Sequence, residues 1–292
     1  VNHPADANPV DGSFLAQMAA ASRARVAAAR AREPLDALRA RARTVPAAPR
    51  LRLSAAGFDL VAELKLRSPA LGRLGSAADD LEGRVTAYGR GGAAAISVLT
   101  EPERFDGSLE HLSRAAAALA PLGVPAMRKD FLVDEYQLHE ARACGAGGVL
   151  LIATMLERAV LGRLLDAAAA LGLFVLLECF DADDVRLAHE LARAWSGPAQ
   201  ELLVGVNSRD LRTLRVEPSR LEALVGALPR RFPRVAESGL VTPDDAARLA
   251  RAGYTAALVG TALMGSADPA ALARAMIAAG RGAATTARPE RA

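Results

Sequence analysis

The sequence predicts an α/β protein, a (β/α)8 barrel with an N-terminal helical extension, and three observations predict it. Eight short apolar runs start 22 to 36 residues apart, the length of a strand, a turn, a helix of about three turns and a return loop. Each run is apolar at both alternate sets of positions, as a strand is when helices cover one face and a packed interior fills the other. Polar residues gather where the runs end.

Residues 1–13 are polar and read as a disordered tail. From Phe14 to about Arg43 the chain is an Ala/Arg/Leu helix pattern, with Pro34 after Glu33 marking a break or a second helix start, so residues 14–52 form the extension. The runs follow: Phe58–Glu63, Ala94–Leu99, Val124–Met127, Gly148–Ile152, Phe174–Leu177, Leu202–Val206, Arg234–Ala236 and Ala256–Val259. Strict alternation with helices means a parallel sheet. An open doubly wound sheet would satisfy it too; eight repeats favour closure into a barrel over residues 53–280. The Pro/Arg-rich residues 281–292 read as a second disordered tail.

Composition removes several function classes. With 51% hydrophobic and 24% charged residues among 292, the chain is of ordinary globular make-up. Its longest uncharged stretch, Ala252 to Ala267, is 16 residues and broken by Gly, Thr and Ser, too short and polar for a membrane span. Val1 to Val10 lack the basic start and apolar run of a secretory signal, so the cytoplasm is expected. Cys144 and Cys179 stand 35 apart, which suggests neither a zinc site nor a redox pair. His3, His111, His139 and His189 show no metal-ligand spacing, and no metal is expected. No glycine-rich phosphate loop of the dinucleotide or P-loop kind follows a strand, so no such cofactor is indicated. The nine arginines between Arg23 and Arg52 carry no interleaved aromatic residue for base stacking and include Glu33 and Asp36, so solvated helix faces explain them better than nucleic acid.

The net charge of +3 hides a lopsided choice of cation. Of 36 basic residues only Lys65 and Lys129 are lysine. Guanidinium stays charged, whereas a lysine's pKa moves on burial and lets it exchange protons near neutrality. Both lysines fall where runs end, and a barrel's chemistry sits at the C-terminal ends of its strands. Glu63 and Lys65 are two apart, a spacing that puts both on one side of a strand. Further termini carry Arg128-Lys129-Asp130, Glu178, Asn207-Ser208-Arg209-Asp210, and Glu237. Ser238-Gly239 and Gly260-Thr261 follow the last two runs, where barrels of this kind accept phosphate on exposed backbone N–H groups. A phosphorylated substrate is therefore expected.

Taken in order, these termini resemble the indole-3-glycerol phosphate synthase family of tryptophan biosynthesis, from about Phe14 to Met276. The carriers are Ala62-Glu63-Leu64-Lys65 with Ser68-Pro69, Ser97-Val98-Leu99-Thr100 leading to Phe105 and Gly107-Ser108, Arg128-Lys129-Asp130-Phe131 and Tyr136-Gln137. They continue with Leu150-Leu151-Ile152, Glu178, Gly205-Val206-Asn207-Ser208-Arg209-Asp210-Leu211, Ala236-Glu237-Ser238-Gly239 and Val259-Gly260.

The resemblance implies a (β/α)8 barrel with a helical N-terminal segment. It implies closure of the indole ring of 1-(2-carboxyphenylamino)-1-deoxyribulose 5-phosphate, with loss of carbon dioxide and water and without a cofactor. It assigns Lys129 as general acid in ring closure, Lys65 with Glu63 to dehydration, and Glu178 as candidate general base, with Asn207 and Glu237 shaping the same mouth. Ser238, Gly239, Gly260 and Thr261, with Ser68, would hold the phosphate; Arg209 would add a cation, and Phe131 and Leu151 would flank the aromatic ring. The expected partner is this small phosphosugar, with other tryptophan-pathway enzymes as candidate associates.

The chain departs from the family's usual pattern at Ala70-Leu71, where a Ser-Lys is common, at Cys179-Phe180 in place of Val-His, and at Gly147 in place of Asp. The changes at Ala70-Leu71 and Cys179-Phe180 leave room for a related enzyme acting on a substituted anthranilate. A phosphoribosylanthranilate isomerase would need a Cys/Asp acid–base pair, and none is evident. A catalytically dead scaffold barrel is the reading from another class, and the lysines with Glu178 argue against it.

Overall fold

The computed structural model describes residues 13–68, 72–73, 80–210 and 215–286. Eight parallel strands close into a barrel: β1 (Asp59–Leu64), β2 (Ala95–Leu99), β3 (Ala126–Lys129), β4 (Gly148–Ile152), β5 (Phe174–Cys179), β6 (Leu202–Asn207), β7 (Arg234–Glu237) and β8 (Ala256–Val259). β1 seals it by pairing with both neighbours, Asp59 beside Ala256 and Val61 beside Ala95. All eight expected runs are strands. Several extend past their expected ends, to Leu64, Lys129, Cys179, Asn207 and Glu237. The charges read as turn residues are therefore mostly the last pleats of the strands, and their directions are fixed by the ladder.

Inward positions fill the barrel with Val61, Ala95, Met127, Leu150, Phe174, Leu176, Leu203, Val235, Ala256 and Leu258. Outward positions such as Leu60, Ile96, Leu151, Leu177 and Val204 pack beneath the helices in a second cluster. Between β1 and β2 a short antiparallel pair sets Arg67 against Arg73 and Ser68 against Gly72. Ala70 and Leu71 of the departing loop, and Leu211 of the Asn207 run, lie outside the described residues.

The N-terminal extension is α1 (Ser13–Arg32) and α2 (Leu35–Thr44). On α1, Phe14, Met18, Ser22 and Val26 recur every fourth residue and are all buried, so one stripe of an Ala/Arg helix docks on the barrel. The other helices are α3 (Leu81–Arg90), α4 (Pro102–Phe105), α5 (Leu109–Leu119), α6 (Glu135–Ala143), α7 (Arg158–Ala170), α8 (Ala182–Ala194), α9 (Ser219–Val225), α10 (Pro243–Ala252), α11 (Thr261–Met264) and α12 (Pro269–Thr286). Polar caps mark where several begin. Asp134 and Gln137 form a reciprocal capping box on α6, Thr242 and Asp245 one on α10, and Asp181 caps α8.

The expected barrel end at 280 needs correction, because α12 continues through Thr286. Arg281 explains the extension: its Nε donates to the Phe58 carbonyl at 3.0 Å and its Nη2 to buried Asp59 at 2.7 Å. That pairing ties the last helix to the start of β1. Ser13, expected in the first tail, begins α1, and the rest of the two expected tails, 1–12 and 287–292, lies outside the described residues.

Candidate active site

The candidate side chains occupy the inward positions one pleat above the core. Glu63 stands two beyond Val61, Lys129 two beyond Met127, Glu178 two beyond Leu176, Asn207 two beyond Gly205 and Glu237 two beyond Val235. All five strands bring these residues to the rim of one cavity of about 310 Å³. Ser68, Phe131, Arg209, Ser238, Gly239, Gly260 and Thr261 line it too, so every expected site residue but one is brought together.

The exception is Leu151. It packs in the outer layer under the helices, while its neighbours Leu150 and Ile152 face the cavity. Alternation along β4 permits no other outcome: one residue of Leu-Leu-Ile must face away, and the apolar run carries no mark of which.

Lys129 lies among three carboxylates, its Nζ 3.6 Å from Glu178 Oε1, 3.6 Å from Glu237 Oε2 and 3.9 Å from Glu63 Oε2. Burial alone would lower its pKa; Glu178, Glu237 and Glu63 outweigh burial and raise it. The direction is opposite to that of a lysine buried without partners, and it keeps a proton on Lys129 at neutral pH. Burial pushes the Glu63 carboxyl up, but the Lys65 ammonium, 2.8 Å from Oε1, and then Lys129 hold it below its ordinary value.

Glu237 behaves in the opposite way. Its carboxyl is buried, and burial, then the Glu178 charge, raise its pKa well above the ordinary carboxylate range against the pull of Lys129. Glu63 and Glu237, two carboxyls against one ammonium, are thus shifted in opposite directions, the condition for separate acid and base roles. Asn207 sets the orientation of Glu178: its Nδ2 donates to Glu178 Oε1 at 2.7 Å, while its Oδ1 accepts the Arg209 backbone N–H at 2.9 Å. Burial lowers the Arg209 pKa, with Glu63 opposing.

The turns after β7 and β8 make one wall of the cavity. Ser238 takes φ +68°, rare outside glycine, and Gly239 follows at +79°. Two successive left-handed residues turn the chain sharply after β7, and Ser208 supports the turn by donating from Oγ toward the Glu237 and Ser238 carbonyls. Gly260 precedes the short α11 and crowds Glu63: a β-carbon there would stand 2.3 Å from Glu63 Oε1.

Another wall is aromatic. Phe14 of α1 meets Phe131 edge-on with centroids 5.9 Å apart, and Phe105 of α4 lies 6.4 Å from Phe131. All three line the cavity. Phe14 could not be found from the barrel pattern, because it comes from the extension; Phe105 sits on a four-residue helix that carries no periodic signal.

Among the described residues no group of three His, Cys, Asp or Glu is placed to hold a metal ion, and both cysteines are free thiols. No described helix is long and apolar enough to cross a membrane.

The fold and the site together define a class, a barrel enzyme arranged for proton transfer on a small anionic substrate. The family model described as indole-3-glycerol phosphate synthase matches residues 15–276, and the chain belongs to that family. Indole-3-glycerol phosphate synthase of Mycobacterium leprae is 41% identical over 259 residues, covering 89% of this chain and 86% of that protein. That of Nocardioides sp. is 43% identical over 231 residues, covering 79% and 84%. Among solved structures, 3-hexulose-6-phosphate synthase from Salmonella typhimurium superposes with a TM-score of 0.56 at 16% identity, covering 79% of this chain and 100% of that one. Thiamine phosphate pyrophosphorylase from Pyrococcus furiosus gives 0.55 at 17%, covering 77% and 96%. At such identities these two likenesses show the fold alone.

Proposed function

We propose that this site carries out the reaction of its family, closing the indole ring of 1-(2-carboxyphenylamino)-1-deoxyribulose 5-phosphate, with the roles divided as follows. The observation that carries the reading is the Lys129 ammonium, kept protonated by Glu63, Glu178 and Glu237 in a cavity lined also by three phenylalanines and by the Ser238-Gly239 and Gly260-Thr261 turns. The phosphate sits on the Ser238-Gly239 and Gly260-Thr261 turns near Ser68 and Arg209, and the carboxyphenyl ring against Phe131, Phe105 and Phe14.

The ring carbon bearing the carboxylate attacks the ketone carbon, and the ketone oxygen takes the proton from Lys129 Nζ as the carbon–carbon bond forms. Carbon dioxide then leaves with its bonding pair returned to the ring. The new hydroxyl departs as water after protonation from the Lys65–Glu63 pair, and Glu178, oriented by Asn207, removes the proton whose loss completes the indole. Glu237 lies against the same ammonium, 3.6 Å from Nζ, and shapes the mouth beside Glu178. The reaction is that of a carboxy-lyase of tryptophan biosynthesis, and it suits a cytoplasmic enzyme working beside the others of that pathway.

Steady-state formation of indole-3-glycerol phosphate, followed by indole fluorescence without added metal or nucleotide, tests the reading. Wild type is expected to turn over and Lys129→Ala to lose about a hundredfold or more in kcat. A well-folded wild type without turnover, or a Lys129→Ala variant with ordinary turnover, would overturn it.

A further inference from the structure

Arg25 lies on α1, outside the barrel, yet its guanidinium reaches two loops at the cavity's edge. Nη2 donates to Asp130 Oδ1 at 2.9 Å, and Nη1 stands 3.7 Å from Glu101 Oε1. Both carboxylates are buried. Each is also bound to the backbone of its own loop. Asp130 Oδ1 accepts from Phe131 N at 2.8 Å, and its Oδ2 accepts from Thr100 Oγ1 at 2.8 Å and Arg128 Nη2 at 3.2 Å. Glu101 caps α4 by accepting from Glu103 N at 3.0 Å and Arg104 N at 2.7 Å.

What those loops carry gives the clamp its meaning. Phe131 follows Asp130, Phe105 ends the helix that Glu101 caps, and Phe14 stands in the first turn of the helix that bears Arg25. Lys129 precedes Asp130, and its carbonyl accepts from the backbone of the same Thr100 at 3.0 Å. One guanidinium thus joins the three segments that form the aromatic wall and the residue beside the proton donor. Asp130 lines the cavity, but its oxygens are occupied by these four donors.

We propose that Arg25 is a positioning residue that sets the distance between the aromatic wall and Lys129, so that the ring carbon and the proton donor meet in register. The proposal rests on the reading of Lys129 as the acid. A plain docking role is distinguishable, because α1 has other anchors. Gln137 Nε2 donates to Ser22 Oγ at 2.9 Å, and Arg30 pairs with Asp134 at 2.6 Å and lies 5.2 Å over the Tyr136 ring. Arg30 holds the same helix without touching Asp130 or Glu101.

The test compares Arg25→Ala with Arg30→Ala in the full chain, with Lys129→Ala as reference, by steady-state kinetics on the carboxyphenylamino substrate. A displacement of about 1 Å costs up to about a hundredfold in rate. Arg25→Ala is expected to lose about tenfold in kcat with KM within about threefold of wild type, and Arg30→Ala to keep kcat within about twofold. Equal losses in the two variants, or an Arg25→Ala enzyme with wild-type kcat, would overturn the proposal. If circular dichroism finds Arg25→Ala unfolded, Arg25→Gln carries the test: a loss of about tenfold supports it and wild-type kcat overturns it. Failure of the underlying reading shows itself separately, as a wild type without turnover or a fully active Lys129→Ala.

Discussion

Gly205 on β6 faces the carboxyl of Glu237 on β7 so closely that a β-carbon at position 205 would stand 2.2 Å from Glu237 Oε1. The bare α-carbon makes the space in which the raised-pKa carboxyl sits beside Lys129. The same β-carbon would come 3.0 Å from Leu176 Cδ1, so little of the strain can be shed into the barrel. Gly205→Ala is expected to displace Glu237, lowering kcat about a hundredfold and stability by about 1–3 kcal/mol. Turnover and urea unfolding measure the two. A variant with kcat near wild type would mean that the chemistry does not need Glu237 where it stands.

Lys129 is the shared counter-ion of Glu63, Glu178 and Glu237, so its removal predicts a pH-dependent loss of stability. In Lys129→Met the carboxyls lose a cation 3.6 to 3.9 Å away, and protonated forms become favoured in the folded state. The folded variant then binds more protons than wild type at neutral pH, so its stability falls relative to wild type as pH rises. Breaking a buried ion pair costs about 3–5 kcal/mol, and the deficit should be larger at pH 8 than at pH 5. Urea unfolding at the two pH values checks this; a deficit independent of pH would contradict it.

Asn207 and Glu178 give a separate test, because Nδ2 donates to Oε1 at 2.7 Å. Asn207→Asp keeps the oxygen that accepts the Arg209 N–H and replaces the donor with a second carboxylate. Two carboxylates at that distance cannot both be ionised, and the pair then holds a proton at neutral pH. The acid limb of the kcat/KM profile should move up by about one pH unit or more, with activity at pH 7 down by about tenfold or more. A profile identical to wild type would show that the 2.7 Å contact does not matter to the pH dependence of turnover.

The strands were legible because their apolar runs and spacing are imposed by the barrel, and the charged rim because charges end those runs. Glu63, Lys65 and Lys129 were found by that rule, with the scarcity of lysine adding weight. Leu151 was misplaced because a run apolar on both faces hides its phase, and Leu150 and Ile152 line the cavity instead. Phe14 and Arg25 had no such signal. Their stripe on α1 lies within repeated Ala and Arg, and only tertiary docking shows which face meets Phe131 and Asp130. The direction of the Lys129 pKa was also beyond reach, since it depends on three carboxyls from three other strands.

Asp184 yields the last prediction, away from the reacting groups. It is buried in the first turn of α8, where its Oδ2 accepts from Phe180 N at 2.8 Å and fixes the loop after Glu178. Burial raises its pKa from 3.8 to about 6; the Phe180 N–H opposes this, and Asp181 and Glu178 add to it. A carboxyl with a raised folded pKa binds its proton better in the folded than in the unfolded chain, so its contribution is present below pH 4 and lost as pH rises through 6. Asparagine accepts the same N–H without ionising. Asp184→Asn should therefore be more stable than wild type above pH 6. The gain is at most about 3 kcal/mol and, allowing for solvent screening at the helix end, about 1 kcal/mol. It should shrink toward pH 4, with kcat near wild type throughout. Urea unfolding at pH 4.5 and 7.5 decides the matter, and an equal or inverted difference would show that the charge on Asp184 is no burden to the fold.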